Sequence, residues 1–120
     1  MQIERDLKKR SKCFAHDCVK LAVSLPNSTL NNHIRHQLIR CATSVAANYR
    51  AASLGQTKKS FISKLSIVIE ESDECIFWIE FVIDEQLLAS DNCEFVLKEA
   101  KELTAIFIAS RKTAEKNLNR

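Results

Sequence analysis

The stretch that decides the fold is Phe61-Ile-Ser-Lys-Leu-Ser-Ile-Val-Ile-Glu-Glu-Ser-Asp-Glu-Cys-Ile-Phe-Trp-Ile-Glu-Phe-Val-Ile83. Within it, core-type residues alternate at spacings of four and three: Phe61, Leu65, Val68, Ser72, Cys75, Ile79 and Val82. This period places them on one side of an α-helix. The segment contains neither Gly nor Pro, so we predict one long helix over about residues 57–84, with Thr57 as its N-cap.

The same helical period occurs in three further segments, which predict helices over about residues 4–25, 30–54 and 91–117. Pro26 stops the first, Gly55 suits the C′ position of the second, and Asp91 with Glu94 resembles a capping box for the fourth. The chain has only one Gly and one Pro in 120 residues, so we do not expect long loops. We therefore predict one all-α domain, residues 1–120, folded as an up-down-up-down antiparallel four-helix bundle.

The third predicted helix carries more apolar surface than one buried seam needs. A second column of isoleucines repeats every seven residues, and aromatic residues follow it. A 120-residue bundle has no centre that could surround such a helix, so we predict a homo-oligomer interface. The alternative is a tilted bundle that covers these side chains internally. The predicted interface residues are Ile62, Ile69, Ile76, Phe77, Trp78, Phe81 and Ile83.

A polar line runs through the apolar face of the second predicted helix. Gln37, Ser44 and Asn48 share one side of that helix with Cys41. Buried Ser and Asn side chains need hydrogen-bond partners, and Ser72 on the third helix or a neighbouring backbone group is available. We interpret Gln37, Ser44, Asn48 and Ser72 as a structural polar clasp that fixes the register of the helices, in preference to a ligand site.

Charge is strongly segregated along the chain. Residues 18–69 contain no acidic residue, whereas residues 70–102 contain eleven. A basic half indicates a polyanion or an acidic protein surface as partner. The predicted nucleic-acid-binding residues lie on the second and third helices, around the turn at Gly55: Arg40, Arg50, Lys58, Lys59 and Lys64. The alternative is that these cations pair with acidic residues of a neighbouring subunit, which would leave no free patch.

No catalytic residue, metal site or cofactor is predicted. The five cysteines include no Cys-x-x-Cys pair, and a metal site at Cys13, His16 and Cys18 lacks a fourth ligand. Arg10 and His16 have an Arg-x5-His spacing that some helical-bundle ribonucleases use, but this spacing is common by chance. With no apolar run of about 20 residues and no signal-like start, we expect a cytoplasmic protein with reduced thiols.

Several motifs together resemble the four-helix-bundle family named after the 23S ribosomal RNA intervening sequence. They are Gln37-Leu-Ile-Arg-Cys-Ala-Thr-Ser-Val-Ala-Ala-Asn-Tyr-Arg50, Lys58-Lys-Ser-Phe-Ile62 with Lys64-Leu65, and Glu71-x-x-Glu74 with Trp78. The resemblance covers roughly residues 10–83. This chain departs from the family pattern at two positions. Many relatives carry Glu-Gly shortly after the Asn that corresponds to Asn48, where this chain has Arg50-Ala-Ala. Many also carry a Gly where this chain has Gln86.

The resemblance implies a four-helix subunit that assembles into a homo-oligomeric ring, typically a pentamer, without catalytic residues. One related branch serves as the accessory protein of diversity-generating retroelements and binds a reverse transcriptase and nucleic acid. We therefore expect a non-enzymatic accessory or scaffold protein that binds the phosphate backbone of RNA or DNA. The alternative function is a structural or adaptor oligomer whose partner is a protein and which has no nucleic-acid role.

Overall fold

The computed structural model describes residues 2–55, 57–89 and 91–119 and contains four helices there: α1 (Gln2–Val23), α2 (Thr29–Ser53), α3 (Lys58–Asp84) and α4 (Asp91–Leu118). The bounds predicted from the sequence differ from these by no more than two residues. No strand occurs in the described ranges, so the all-α class is confirmed. None of the helices, as far as they are described, is long and apolar enough to cross a membrane.

Successive helices pack against each other, and α1 also contacts α4, which closes a bundle of 51 × 21 × 20 Å. Contacts between elements show that neighbours run antiparallel. Arg35, near the start of α2, donates to the carbonyl oxygen of Ala22 near the end of α1 at 3.2 Å. Lys58, at the start of α3, donates from Nζ to the carbonyl oxygen of Asn117 near the end of α4 at 3.3 Å. This packing agrees with the predicted bundle.

The core contains the seams that the helical period identified. The largest fully buried side chains include Phe14 from α1, Tyr49 from α2, Ile79 from α3 and Phe107 from α4, so every helix contributes to one core. The rings of Tyr49 and Phe107 lie 5.5 Å apart between centroids. Leu30, in the first turn of α2, is exposed and does not join this core.

Two of the predicted helix starts are fixed by side-chain caps. The hydroxyl oxygen of Ser28 accepts a hydrogen bond from the backbone N–H of Asn31, and that of Thr57 accepts one from the N–H of Ser60, both at 3.0 Å. Each satisfies one of the free N–H groups at a helix N-terminus. The predicted capping box of α4 is different, because Asp91 is already the first helical residue and the position before it lies outside the described ranges.

The end of α3 is a Schellman motif built on Gln86. The N–H of Gln86 bonds to the carbonyl of Ile83, and the N–H of Leu87 bonds to the carbonyl of Val82, both at 3.0 Å. This pattern requires a left-handed residue at C′, and Gln86 has a φ of 53°. Gln86 is the position at which the resemblance led us to expect Gly. The departure is therefore accommodated by a strained glutamine, and the turn keeps its geometry.

Gly55 is predicted at the C′ position of α2, where Gly is favoured because it can adopt a left-handed conformation. In the structure, however, the φ of Gly55 is not positive. A Cβ at Gly55 would lie 3.0 Å from the carbonyl oxygen of Ala52 and 3.3 Å from the hydroxyl of Ser60. The close approach of α2 and α3 at this turn, and not a left-handed conformation, therefore favours Gly here.

Replacing Gln86 with Gly should raise the free energy of unfolding by about 1 kcal/mol, because a left-handed conformation costs an L-residue roughly 1–2 kcal/mol and glycine avoids most of that cost. Chemical denaturation monitored by circular dichroism measures the change. Gln86→Ala is the matched control, since it removes the amide but keeps the Cβ. Equal stability of the Gly and Ala variants would show that the backbone at Gln86 is not strained.

Candidate basic and apolar surfaces

The antiparallel topology gathers basic residues at one end of the bundle. The start of α1, the end of α2, the start of α3 and the end of α4 meet there, and we call this region the basic end. Its described cations are Lys8, Lys9, Arg10, Lys12, Arg50, Lys58, Lys59, Lys64, Arg111, Lys112 and Lys116. Its described acidic residues are Asp6 and Glu115. A region this rich in one sign of charge creates a positive potential at its surface.

The other end of the bundle carries most of the acidic residues, because the second half of α3 and the first half of α4 meet there. We call it the acidic end. Its acidic residues are Asp17, Glu70, Glu71, Asp73, Glu74, Glu80, Asp84, Glu85, Asp91, Glu94, Glu99 and Glu102, against the cations Lys20, Arg35, Arg40, Lys98 and Lys101. The charge segregation along the sequence therefore becomes a dipole along the long axis of the molecule.

Four of the five predicted nucleic-acid-binding residues lie at the basic end. Arg50 and Lys59 are exposed and Lys64 is half-buried, and none of the three forms an ion pair with a described residue. Lys58 reaches the carbonyl oxygen of Asn117, where a cation also complements the negative end of the α4 dipole. The charges of Arg50, Lys59 and Lys64 are therefore not offset by a carboxylate of the described residues.

Arg40, the fifth predicted residue, is engaged within the chain. Its guanidinium forms an ion pair with Glu71 at 2.9 Å and a second, shorter one with Glu74, and both join α2 to α3. The hydrogen bond with Glu74 raises the pKa of Arg40 above its usual value. Arg40 lies toward the acidic end, and two carboxylates offset its charge, so the free basic surface does not extend along α2 as far as this residue.

Glu74 also accepts a hydrogen bond from the indole N–H of Trp78 at 3.2 Å. Burial raises the pKa of this carboxyl group, but the hydrogen bonds from Arg40 and Trp78 outweigh burial, and the net pKa lies below the usual value. The ring of Trp78 in turn lies edge-on to His33, with 5.4 Å between centroids. One carboxylate thus connects the ion pairs of α2 to the aromatic residues of α3.

The sequence did not predict a groove of about 450 Å³ between α1 and α2, which reaches into the basic end. Its apolar residues are Ala15, Val19, Ala46 and Ala47, and its other lining residues are Lys8, Lys12, His16, Thr43 and Arg50. None of these basic side chains forms an ion pair with a described residue. The spacing of Lys8, Lys12 and His16, one every fourth residue, was the available signal, since residues at this spacing share a face of α1.

The Arg10–His16 pair considered for a ribonuclease site is not assembled in this subunit. Arg10 faces α4, where its guanidinium binds Glu99 at 2.6 and 2.7 Å and Glu102 at 3.0 Å. His16 lines the groove between α1 and α2 instead. The two side chains therefore lie on different sides of α1.

The predicted polar clasp differs from the hydrogen bonds in the structure. The Asn48 amide donates to the hydroxyl and the carbonyl oxygen of Ser44, both at 2.9 Å, so this pair is satisfied within α2. Gln37 accepts a bond from Arg40 in the same helix at 3.3 Å. Ser72 instead bonds to Thr104 at 2.9 Å, which links α3 to α4. Of the two kinds of partner expected for Asn48, the structure shows a backbone group and not Ser72, because an Asn four residues after a Ser can reach its carbonyl oxygen without leaving the helix.

The predicted interface residues differ in how far the subunit itself covers them. Ile69, Ile76, Trp78, Phe81 and Ile83 are partly buried and pack against the core. Ile62 is also partly buried, whereas Phe77 remains 52% exposed. The rings of Phe77, Trp78 and Phe81 contact one another, with centroids 4.9–6.2 Å apart. The subunit therefore leaves one aromatic cluster on α3 open to solvent, centred on Phe77.

All five cysteines are free thiols, and Cys13 is the exposed one. Cys41 and Cys75 lie 3.3 Å apart between sulfur atoms inside the core. The hydrogen bond with Cys75 and then burial raise the pKa of Cys41, and the hydrogen bond with Cys18 raises that of Cys75. Both thiols therefore stay protonated and unreactive. No cluster of described His, Cys, Asp or Glu side chains could hold a metal ion.

Comparisons with known proteins converge on one family. The sequence profile of the 23S rRNA-intervening sequence proteins matches residues 4–109. A crystal structure of a protein of unknown function from the S23 ribosomal protein family of Bacteroides thetaiotaomicron is 28% identical and superposes with a TM-score of 0.82. The match covers 91% of this chain and 97% of that one. No curated protein matches the chain.

The fluorescence of Trp78, the only tryptophan, should report the ionisation of Glu74. Folding lowers the pKa of Glu74, so its carboxylate stabilises the fold above the pKa of the unfolded chain, by less than about 1 kcal/mol for so exposed a pair. This contribution is lost as the pH falls through the lower folded-state pKa. Emission in a His33→Gln background should therefore change at acidic pH, below the usual range of glutamate.

Glu74→Gln should abolish this acidic transition, whereas Glu80→Gln, two residues beyond Trp78, should keep it. The His33→Gln background removes the imidazole that contacts the indole ring. An unchanged transition in Glu74→Gln would show that another group controls the environment of Trp78.

Proposed function

Because this chain belongs to the family of 23S rRNA-intervening sequence proteins, we propose that it is a non-enzymatic, homo-oligomeric accessory or scaffold protein that binds the phosphate backbone of RNA or DNA through its basic end. The proposed assembly is a ring, for which the family resemblance favours five subunits. The five cysteines are free thiols and odd in number, which favours a cytoplasmic location for this protein. A ribosomal RNA or a reverse transcriptase–RNA complex is a partner of the proposed kind.

The observation that carries this proposal is the unpaired charge of Arg50, Lys59 and Lys64 at the basic end. A protein that places lysine and arginine near phosphates releases condensed counterions, and this release drives binding without reading sequence. The N-terminus of α3 adds its positive dipole and its free N–H groups at the same place. These features support phosphate contacts and do not suggest recognition of individual bases.

Self-assembly would multiply these contacts. The three cations Arg50, Lys59 and Lys64 of a single subunit bind a polyanion weakly, but a ring presents the same patch once per subunit to one continuous strand. Each further contact is then intramolecular, so the overall affinity rises steeply with the number of subunits. The exposed aromatic cluster around Phe77 supports self-assembly, because an apolar patch of this kind is typical of an interaction surface.

A second candidate function is a protein adaptor with no nucleic-acid role. The ion pairs of Arg40 with Glu71 and Glu74 favour it, because they show that acidic side chains of this protein can neutralise its predicted patch. In an oligomer, acidic residues of a neighbouring subunit would neutralise Arg50, Lys59 and Lys64 in the same way. The two functions differ in whether these cations remain available to a polyanion.

Titration with labelled single-stranded and duplex RNA and DNA, followed by fluorescence anisotropy at several salt concentrations, tests the proposed function. Binding should weaken steeply with salt and vary little with sequence. The double variant Lys59→Gln/Lys64→Gln should bind all sequences more weakly, and the slope of log K against log salt should fall by about 2 per subunit engaged.

The matched control is Lys20→Gln/Lys98→Gln, which removes the same charge from the acidic end and should bind like the unmodified protein. Equal losses in both double variants would mean that only net charge matters, and no binding at low salt would support the adaptor function instead.

A further inference from the structure

The groove between α1 and α2 is unlike an ordinary phosphate-binding surface. Four of its lining residues, Ala15, Val19, Ala46 and Ala47, are apolar, and we call these four its floor; the basic lining residues include Lys8, Lys12 and Arg50. Phosphates gain nothing from an apolar floor. An occupant that satisfies both features needs an apolar group in the centre and negative charges on either side of it. The groove residues 8–19 span about 16 Å of helix at 1.5 Å per residue, which matches about three turns of a partner helix.

The outer face of α3 has this combination. Glu70, Asp73, Phe77, Glu80 and Asp84 follow one another at spacings of three and four, so they form one stripe along the helix. The stripe contains no cation. Its centre is the exposed ring of Phe77, and we call these five residues the acidic stripe.

The charges of the acidic stripe are largely unused within the subunit. Glu70, Asp73 and Asp84 are exposed and form no ion pair with a described residue. Glu80 makes one long contact with Lys101, at 3.7 Å and with both side chains about half exposed. Such a surface pair contributes little. The acids on the other side of α3, Glu71 and Glu74, are the ones that bind Arg40.

Phe95 on α4 is the other exposed phenylalanine, at 63%, but its surroundings fit the groove less well. Lys98 lies one turn after it and would face the cations of the groove. Glu99 and Glu102, on the same side, already bind Arg10. Phe77 is thus the exposed aromatic side chain whose neighbours are acidic and available.

From this complementarity we infer that the α1/α2 groove is the docking site for the acidic stripe of a second copy of this chain, with Phe77 seated on the alanine floor and the carboxylates beside it facing Lys8, Lys12, His16 and Arg50. The inference deepens the proposed self-assembly and rests on it. Two different surfaces meet in this contact, so it is heterologous, and repeating it produces a closed ring or an open chain of subunits.

This arrangement differs from a contact in which the α3 helices of two copies face each other. In an α3–α3 contact the acidic stripes would be opposed, and like charges across an interface cost binding free energy. In the groove, the carboxylates would instead face Lys8, Lys12 and Arg50, none of which forms an ion pair with a described residue. The small side chains of the floor also let the two backbones approach closely, which gives the ring of Phe77 a large apolar contact.

Two variants that each damage one surface provide the test. The groove variant is Lys8→Glu/Lys12→Glu, and the stripe variant is Asp73→Lys/Asp84→Lys. We expect each alone to be a single chain of 13.7 kDa by light scattering, under conditions in which the unmodified protein assembles. The variant carrying all four substitutions should regain assembly, because its reversed groove complements its reversed stripe. An equimolar mixture of the two double variants should also assemble beyond two chains, since the native stripe of one fits the native groove of the other and the two reversed surfaces fit each other.

Matched controls reverse the same number of charges elsewhere: Lys9→Glu/Lys20→Glu on α1 and Glu94→Lys/Glu115→Lys on α4. Both should assemble like the unmodified protein. Circular dichroism verifies that each variant folds. Two milder single changes, Ala47→Gln in the floor and Phe77→Ser in the stripe, replace any variant that does not, and each should weaken assembly at least tenfold.

The outcomes separate this inference from the proposed function. If the unmodified protein assembles but the groove variants leave its mass unchanged, the docking site is wrong while self-assembly stands. Loss of assembly in both variants with no recovery in either the mixture or the fourfold variant also overturns it. A single chain at every concentration overturns both the docking site and the proposed oligomer. Nucleic-acid binding is not measured here, so its failure does not affect the result.

Discussion

Short connections between antiparallel helices are the constraint on which the surface of this protein depends. Each helix must reverse direction, so the start of α1 and α3 and the end of α2 and α4 meet at one end of the bundle. A sequence that is basic up to residue 69, acidic over residues 70–102 and basic again after them is thereby folded into a body with a basic and an acidic end. A parallel arrangement of the same helices would place opposite charges side by side and leave no such dipole.

Ion pairs between helices then decide which charges remain available. Arg10 joins α1 to α4 through Glu99 and Glu102, and Arg40 joins α2 to α3 through Glu71 and Glu74. Exposed pairs of this kind add little stability each. Their larger effect here is on recognition, because they neutralise two arginines and leave Arg50 and the lysines of the basic end and of the groove without an ion pair to a described residue.

The sequence alone was sufficient for the helices and for most of the core, since period, caps and the position of Pro26 are properties of one segment at a time. It was insufficient where two segments meet. The groove depends on how α1 and α2 are rotated against each other, and the period of one helix does not contain that rotation. Asn48 and Ser72 do not bond to each other for a related reason: Asn48 has a partner inside its own helix at Ser44, and Ser72 has one on α4. At position 86 the resemblance showed only that many relatives carry Gly. The left-handed φ of Gln86 in the structure explains that preference.

The proposed function and the inferred docking site use different parts of the basic half. The two parts differ in whether apolar side chains line the surface beside the cations. Lys59 is exposed and Lys64 is partly exposed at the start of α3, where a phosphate keeps most of its hydration and binding is dominated by counterion release. Lys8 and Lys12 stand beside alanine side chains, where an apolar group excludes water and the nearby charges interact more strongly. Arg50 belongs to both regions, so subunit docking and polyanion binding compete for this one side chain. An assembled ring would therefore bind its polyanion mainly through the lysines at the start of α3.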